Sequence, residues 1–293
     1  MIFVFGSILQ LIRVETDAQQ KYEQFEFTRH YRYSVAGKGG LQALAAAKAG
    51  AKAAIVSKTG DDELAKHILL RLRKHGVVTS GVAKTEELQT GTAIRLEHEN
   101  RTIIALGASA KASAEQIPAE VLTDQHIILL QTELDPAENS QILKTAKEKG
   151  ARTILNISPR FEVTAEDISH LDYVIMSVKH KAQWNALAAQ ADGGERVTAI
   201  FISPDGAIEL QIKGTSAPLP KAKLEALNWA HPEGYEDAFC GTFAAGLDAR
   251  LPLDKVILKA HVAAALTASQ PGGYNAIPYS DSVDECLKAL EES

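Results

Sequence analysis

Cysteine is scarce in this sequence: Cys240 and Cys286 are the only two in 293 residues, they stand far apart, and neither belongs to a CxxC pair. That spacing speaks against a disulfide framework and a zinc site, and it predicts two buried thiols in a reducing compartment. Basic charge is not in excess either. Lys and Arg number 31 against 37 Asp and Glu, a formal charge of −6, and no basic block could track a phosphate backbone, so nucleic acid is not an expected partner. No apolar run approaches the roughly 18 residues of a membrane span. The opening run, Met1 to Phe5, is too short for a signal segment and has no basic stretch before it. The expectation is a cytoplasmic protein without a membrane segment. The first strand is not followed by GxGxxG, which weakens a nicotinamide-dependent dehydrogenase, and no complete Walker A motif occurs.

What is present is an ordinary globular composition, 45% hydrophobic and 23% charged, over a length that suits one large α/β domain or two smaller ones. The run ending at Gly6-Ser7 reads as a buried strand. Leu9 to Tyr33 alternates aromatic and charged residues and reads as exposed sheet. Gly37-Lys38-Gly39-Gly40 reads as a turn before an Ala-rich helix from Leu41 to Ala49, and Ala53 to Ser57 as a strand. Asp61-Asp62 then caps an amphipathic helix running to Gly76. Thr92 to Glu97 and Arg101 to Leu106 predict a hairpin around Glu99-Asn100. Ile127 to Leu130 is apolar at every position, as in a central parallel strand. Ser140 to Lys149 reads as helix, Thr153 to Ile157 and Tyr173 to Met176 as strands, Lys179 to Ala191 as helix, and Val197 to Ile202 as strand before the Pro204-Asp205-Gly206 turn. Two Ala-rich helices, Ala238 to Arg250 and Leu253 to Ser269, follow. This alternation predicts an α/β three-layer sandwich around a mostly parallel sheet, with a small β-sheet lid. The division is a core of residues 1–8, 34–90 and 106–293 and a discontinuous lid of 9–33 with 91–105.

Two segments stand out chemically. Ala36-Gly37-Lys38-Gly39-Gly40-Leu41-Gln42-Ala43 places three glycines and a lysine at a helix start, where backbone can approach a ligand closely or simply turn tightly. In Gly234-Tyr235-Glu236-Asp237-Ala238-Phe239-Cys240-Gly241, an acidic pair sits at the mouth of a small-residue helix. Asp237 there is either a helix cap or a general base, kept ionised by the positive end of the helix.

Together, in this order and separation, the two segments resemble the ribokinase-like (PfkB-type) carbohydrate kinase family. Gly6-Ser7, Thr59-Gly60-Asp61-Asp62, Thr90-Gly91, Gln131-Thr132-Glu133, Asn156 with Pro159, and the ending from Ala260-His261 to Pro271-Gly272-Gly273 extend the resemblance over nearly the whole chain. The resemblance implies phosphoryl transfer from ATP to a sugar hydroxyl with Mg2+ assisting, chemistry that depends on positioning more than on a covalent nucleophile. It implies Asp237 as the base and backbone amides of Gly234, Tyr235, Glu236 and Asp237 as the anion hole. Gly37, Lys38, Gly39 and Glu133 would line the sugar pocket, and Asn156, Gly206 and His261 the nucleotide. As a core histidine, His261 has an ordinary structural alternative.

The departures fall in the functional motifs. The family's Gly-Ser-x-Asn-x-Asp reads Gly6-Ser7-Ile8-Leu9-Gln10-Leu11 here, Ala36 replaces a glycine, and Leu41 replaces a sugar-contacting asparagine. These leucines predict a pocket too apolar for ordinary ribose. The Asn-x-x-Glu that organises magnesium and phosphate aligns with Ser177-Val178-Lys179-His180, and the Thr-x-Gly at the nucleotide strand end with Phe201-Ile202-Ser203. His231 replaces the aspartate expected near a monovalent cation. Glu236 replaces an anion-hole glycine, which demands either that its side chain turn away or that a cation bridge it to phosphate. Two readings stay open from sequence: a divergent kinase for a sugar or less polar, nucleoside-like alcohol, and an impaired relative that only binds a small molecule or protein. The exposed alternating aromatics, Tyr31 and Tyr33 among them, predict a homodimer through the lid.

Overall fold

The computed structural model describes residues 1–15, 21–22, 25–28, 30–97, 99, 101–218 and 229–292. The N-terminal half runs β1 (Ile2–Phe5), β2 (Leu9–Glu15), β3 (Lys21–Tyr22), β4 (Phe25–Glu26), β5 (His30–Ala36), α1 (Lys38–Lys48), β6 (Ala53–Gly60), α2 (Glu63–Lys74), β7 (Val78–Thr85), β8 (Thr90–Leu96) and β9 (Arg101–Gly107). It continues through β10 (Ile127–Thr132), α3 (Pro136–Glu148), β11 (Arg152–Pro159), α4 (Ala165–Ser169), β12 (Tyr173–Ser177), α5 (Lys181–Ala188), β13 (Thr198–Ile202), β14 (Ile208–Ile212) and β15 (Thr215–Pro218), then α6 (Tyr235–Asp248), α7 (Leu253–Ala268) and α8 (Ser280–Glu291).

Nine strands form the large sheet in the order β15-β14-β13-β12-β11-β10-β1-β6-β7. Strands β13 to β7 in that order are parallel, and β14 and β15 return antiparallel at one edge. The central strands are apolar throughout because both faces are covered. Ile2, Val4, Ile127 and Leu129 face a core built with α1, α2, α6 and α7, while Phe5, Ile128 and Leu130 face a second core with Ile142, Ile168 and Trp184 of α3, α4 and α5. The period-2 alternation of a strand thus supplies both layers of helix with a buried seam.

The smaller sheet has the order β5-β2-β8-β9, with β2 and β8 parallel and the other pairs antiparallel. Thr92–Leu96 and Arg101–Ala105 do pair antiparallel, and His98 and Asn100 at the tip lie outside the described residues. Helix α2 is capped by Asp62, whose Oδ1 accepts from the Ala65 amide at 2.8 Å.

Several boundaries differ from the sequence expectation. Helix α1 begins inside the glycine run at Lys38, because Gly37, at φ +87°, supplies the turn alone. Helix α6 starts at Tyr235, three residues earlier than expected, so the acidic pair is helical. The segment from Val178 opens as a 3-10 turn and becomes α-helix only over Lys181–Ala188. Strand β7 and helix α8 carry weak signals and escape sequence reading. Of the two thiols, Cys240 is buried and Cys286 only half-buried.

Candidate active site

The parallel strands deliver their following loops to one edge of the sheet, the usual location for a ligand crevice in an open α/β fold. Ser7 follows β1, Glu133 follows β10, and the N-terminal ends of α1 and α6 meet there. The meeting is close because small residues permit it. A Cβ on Gly39 would stand 2.5 Å from the Gly6 carbonyl carbon, and one on Gly241 would stand 2.4 Å from the Gln42 carbonyl oxygen. The distant Pro271-Gly272-Gly273 segment packs on Gly234, where an added Cβ would lie 3.3 Å from the Gly273 Cα.

Asp237 is not a cap. The N-cap of α6 is Gly234 in the left-handed region at φ +79°, and Asp237 is the third helical residue, 5% exposed. Its Oδ1 accepts from Lys38 Nζ at 3.1 Å and from Gln42 Nε2 at 3.0 Å. Lys38 Nζ also reaches Glu236 Oε2 at 2.9 Å, so one ammonium sits between a buried carboxylate, Asp237, and a partly buried one, Glu236. Glu236 is thus paired with a cation, the protein's own lysine, which joins it to Asp237.

Burial alone would lower the Lys38 pKa, but the fields of Asp237, Glu236 and Glu133 outweigh it and hold the ammonium well above its ordinary range. Burial opposes ionisation of Glu236 too; Lys38, with help from Ser158 and Asn156, reverses that and pulls Glu236 below the usual carboxylate range. Asp237 goes the other way. Its burial, reinforced by Glu236, outweighs Lys38 and Gln42 and raises its pKa, which makes it the stronger proton acceptor of the pair. Burial also lifts the Tyr235 phenol to about 12.

Glu133 is buried and accepts from Ser7 Oγ and, at 2.8 Å, from the Lys38 backbone amide, so its Oε2 closes the first turn of α1 from outside. Beneath the site Gln42 Nε2 donates to Asn156 Oδ1 at 3.1 Å, and Gln42 Oε1 accepts from Gln131 Nε2 at 2.8 Å. Gln42 and Gln131 organise the floor, and neither is among the expected site residues. Their signal is a lone amide inside an Ala-rich helix and another inside an apolar strand.

Gly37, Lys38, Glu133 and Asp237 line one cavity of about 630 Å³ beneath the small sheet. Gly39 and Asn156 are buried below it rather than lining it. Gly206 and His261 lie apart from that cavity, both against Trp229: an added Cβ at Gly206 would touch the indole, and the His261 ring centroid is 6.2 Å from it. Arg13 of β2 ties the small sheet to the large domain by ion pairs with Glu97 of its own sheet and with Glu233 just before α6.

A lysine-paired carboxylate at a helix mouth, facing a covered cavity at the carboxyl edge of the sheet, suits proton transfer on a small molecule. Comparison with known proteins narrows the class. Residues 1–202 match the pfkB family carbohydrate kinase domain, and the chain belongs to that family. It is 26% identical over 269 residues to a ribokinase of Mus musculus, covering 86% of this chain and 83% of that protein. It is 25% identical over 295 residues to a ribokinase of Bacillus subtilis, covering 98% and 99%. Among solved structures, ribokinase from Thermotoga maritima superimposes with a TM-score of 0.82 at 24% identity, covering 98% of this chain and 99% of that one. Arabidopsis thaliana ribokinase, complexed with ribose and ATP, gives 0.81 at 22% identity over 100% and 99%. These two share the fold.

Proposed function

We propose that the protein transfers a phosphoryl group from ATP to a hydroxyl of a sugar or sugar-like substrate, with Asp237 taking the hydroxyl proton. The observation that carries this reading is the convergence of Asp237, Lys38 and Glu133 on one covered cavity at the mouth of α6. The first-turn amides of α6, from Gly234 through Tyr235 and Glu236 to Asp237, have no intrahelical acceptors and serve as the anion hole. Lys38 lies within reach of that mouth and supplies positive charge. Gly206 and His261 belong to the nucleotide side of the proposal and Gly37 lets backbone approach the substrate, whereas Asn156 and Gly39, expected to touch nucleotide and sugar, are buried beneath the cavity and hold its floor.

ATP is taken to arrive as its Mg2+ complex. The chain's donor set does not fit a divalent ion by itself: no group of three His, Cys, Asp or Glu residues converges among the described residues, and Glu236 is already paired with Lys38. No step is therefore routed through the metal. A monovalent cation has no part in the reading, since His231 stands where the resemblance expects an aspartate. The described residues within 9–33 and 91–105 act as the lid over a core formed by those within 1–8, 34–90 and 106–293, and the exposed face carrying Tyr31 and Tyr33 pairs with a second copy. A cytoplasmic setting suits the chain, in which no described helix is long and apolar enough to cross a membrane.

Titration calorimetry with ATP and magnesium tests the proposal directly: binding in the millimolar range or tighter is expected. No binding would leave only a ligand- or protein-binding relative. Asp237→Asn should abolish ADP release in the presence of an accepted alcohol, and undiminished turnover would overturn the base assignment. Light scattering at twice the chain mass checks the dimer.

A further inference from the structure

The cavity wall under the small sheet is graded. Because side chains alternate along a strand, Leu9, Leu11 and Arg13 of β2 share one face, and register places Leu11 opposite Ala93 and Ala93 opposite Ile104. Leu9, Leu11, Ala93 and Ile104 line the cavity, and Leu41 of α1 lines it as well. Leu9 is 1%, Leu11 5% and Leu41 8% exposed, so the leucine part of this wall is firmly packed, while Ile104 at its outer edge is exposed. Charged side chains enter the same face only farther along the strands, where Arg13 is held by Glu97 and Glu233.

The polar groups next to that wall are few and mostly committed. Lys38 is shared between Glu236 and Asp237, and Asp237 is reserved for the reacting hydroxyl. Glu133 spends Oε2 on Ser7 and on the α1 backbone, while Oε1 has no hydrogen-bond partner among the described residues. Glu133 Oε1 is thus the one uncommitted acceptor among the three groups beside the leucines, while Arg95 and Thr102 line the same cavity farther along the strands and His231 and Glu233 line it just before α6. A polyol buried against this wall would have most of its hydroxyls unpaired, and each such group lowers affinity about tenfold. Resting on the kinase reading above, we infer that the substrate is a primary alcohol on a largely deoxygenated, apolar body that carries about one further hydroxyl for Glu133, rather than a fully hydroxylated sugar.

Three probes of graded polarity test the assignment: D-ribose, 2-deoxy-D-ribose and 3-hydroxybenzyl alcohol. With ATP and magnesium, kcat/KM should rise along that series, by about tenfold per step, and fastest turnover of D-ribose would overturn the inference. Leu11→Asn and Leu41→Asn, each verified as folded by circular dichroism, should move the ratio toward D-ribose by about tenfold; a ratio unchanged in both would show that this wall does not meet the substrate. Calorimetry with the same three alcohols separates the two levels of argument. Tightest binding of 3-hydroxybenzyl alcohol without any phosphorylation would refute the kinase reading and sustain the pocket assignment. Tightest binding of D-ribose would refute the pocket assignment alone, and binding of none of the three would refute both.

Discussion

Replacing Glu236 by glutamine should make the protein a faster kinase. An uncompensated carboxylate about 4 Å from a phosphoryl oxygen, at an effective dielectric near 20, costs about 4 kcal/mol, or about a thousandfold in rate. Lys38, 2.9 Å from Glu236 and 3.1 Å from Asp237, cancels part of that cost but is shared, so the trio of Lys38, Glu236 and Asp237 keeps one net negative charge. Glu236→Gln makes the trio neutral, preserves the side-chain shape and frees the ammonium for the incoming phosphate. The expected gain in kcat/KM for ATP is about tenfold to a hundredfold, measured by coupled ADP release. Lys38→Met should do the reverse. It leaves a buried and a partly buried carboxylate facing each other, so stability should fall by about 2–4 kcal/mol in urea titration and turnover by about a hundredfold. The double variant should recover part of the stability, with a coupling energy of about 0.5–3 kcal/mol. A loss of tenfold or more in kcat/KM for Glu236→Gln would refute this reasoning, because the carboxylate would then be working for the reaction.

Burial holds the His261 pKa below its ordinary value of 6.5, so the unfolded chain binds the extra proton and stability should decline as pH falls through 6.5 toward the lowered value. His261→Asn should flatten that acid limb, as read from urea midpoints at about pH 7.5 and 5.5. Arg13→Ala removes both ion pairs that pin the small sheet over the cavity, and the substrate KM should rise about threefold to tenfold while stability moves by less than about 1 kcal/mol. An unchanged KM would show that the strap has no part in binding. Gly241→Ala would thrust a methyl group to 2.4 Å from the Gln42 carbonyl oxygen, so α1 and α6 must part. A loss of about 1–3 kcal/mol is expected, together with slower turnover because Gln42 steadies Asp237.

The parallel core was legible because its central strands are apolar at every position, which only a sheet covered on both faces requires: Ile127–Leu130 is the clearest case. The convergence of the glycine turn at Lys38 with the α6 mouth came from family resemblance, since residues 38 and 237 are joined only by topology. Two features were out of reach. The Lys38 bridge depends on rotamers of three long side chains, and the Gln42–Gln131–Asn156 network depends on amides that in sequence resemble any helix or strand polar residue. Strand β7 was missed because Val78–Thr85 is an edge strand, half-buried, without a full apolar run. Helix α8 packs only one stripe against α7, and its acidic start looks like a solvated tail.

The chain has two tryptophans, and they are unequal witnesses. Trp184 is sealed in the core beneath α5, far from solvent changes, whereas Trp229 is half-buried, edge-on to Tyr235 at 5.6 Å and against the Gly206 turn and His261. Fluorescence that changes when adenine nucleotide is added would therefore originate at Trp229, and a Trp229→Phe variant would go dark to the titration. On the proposed placement of the nucleotide against Gly206 and His261, the indole would make the native protein its own optical sensor, without any attached dye.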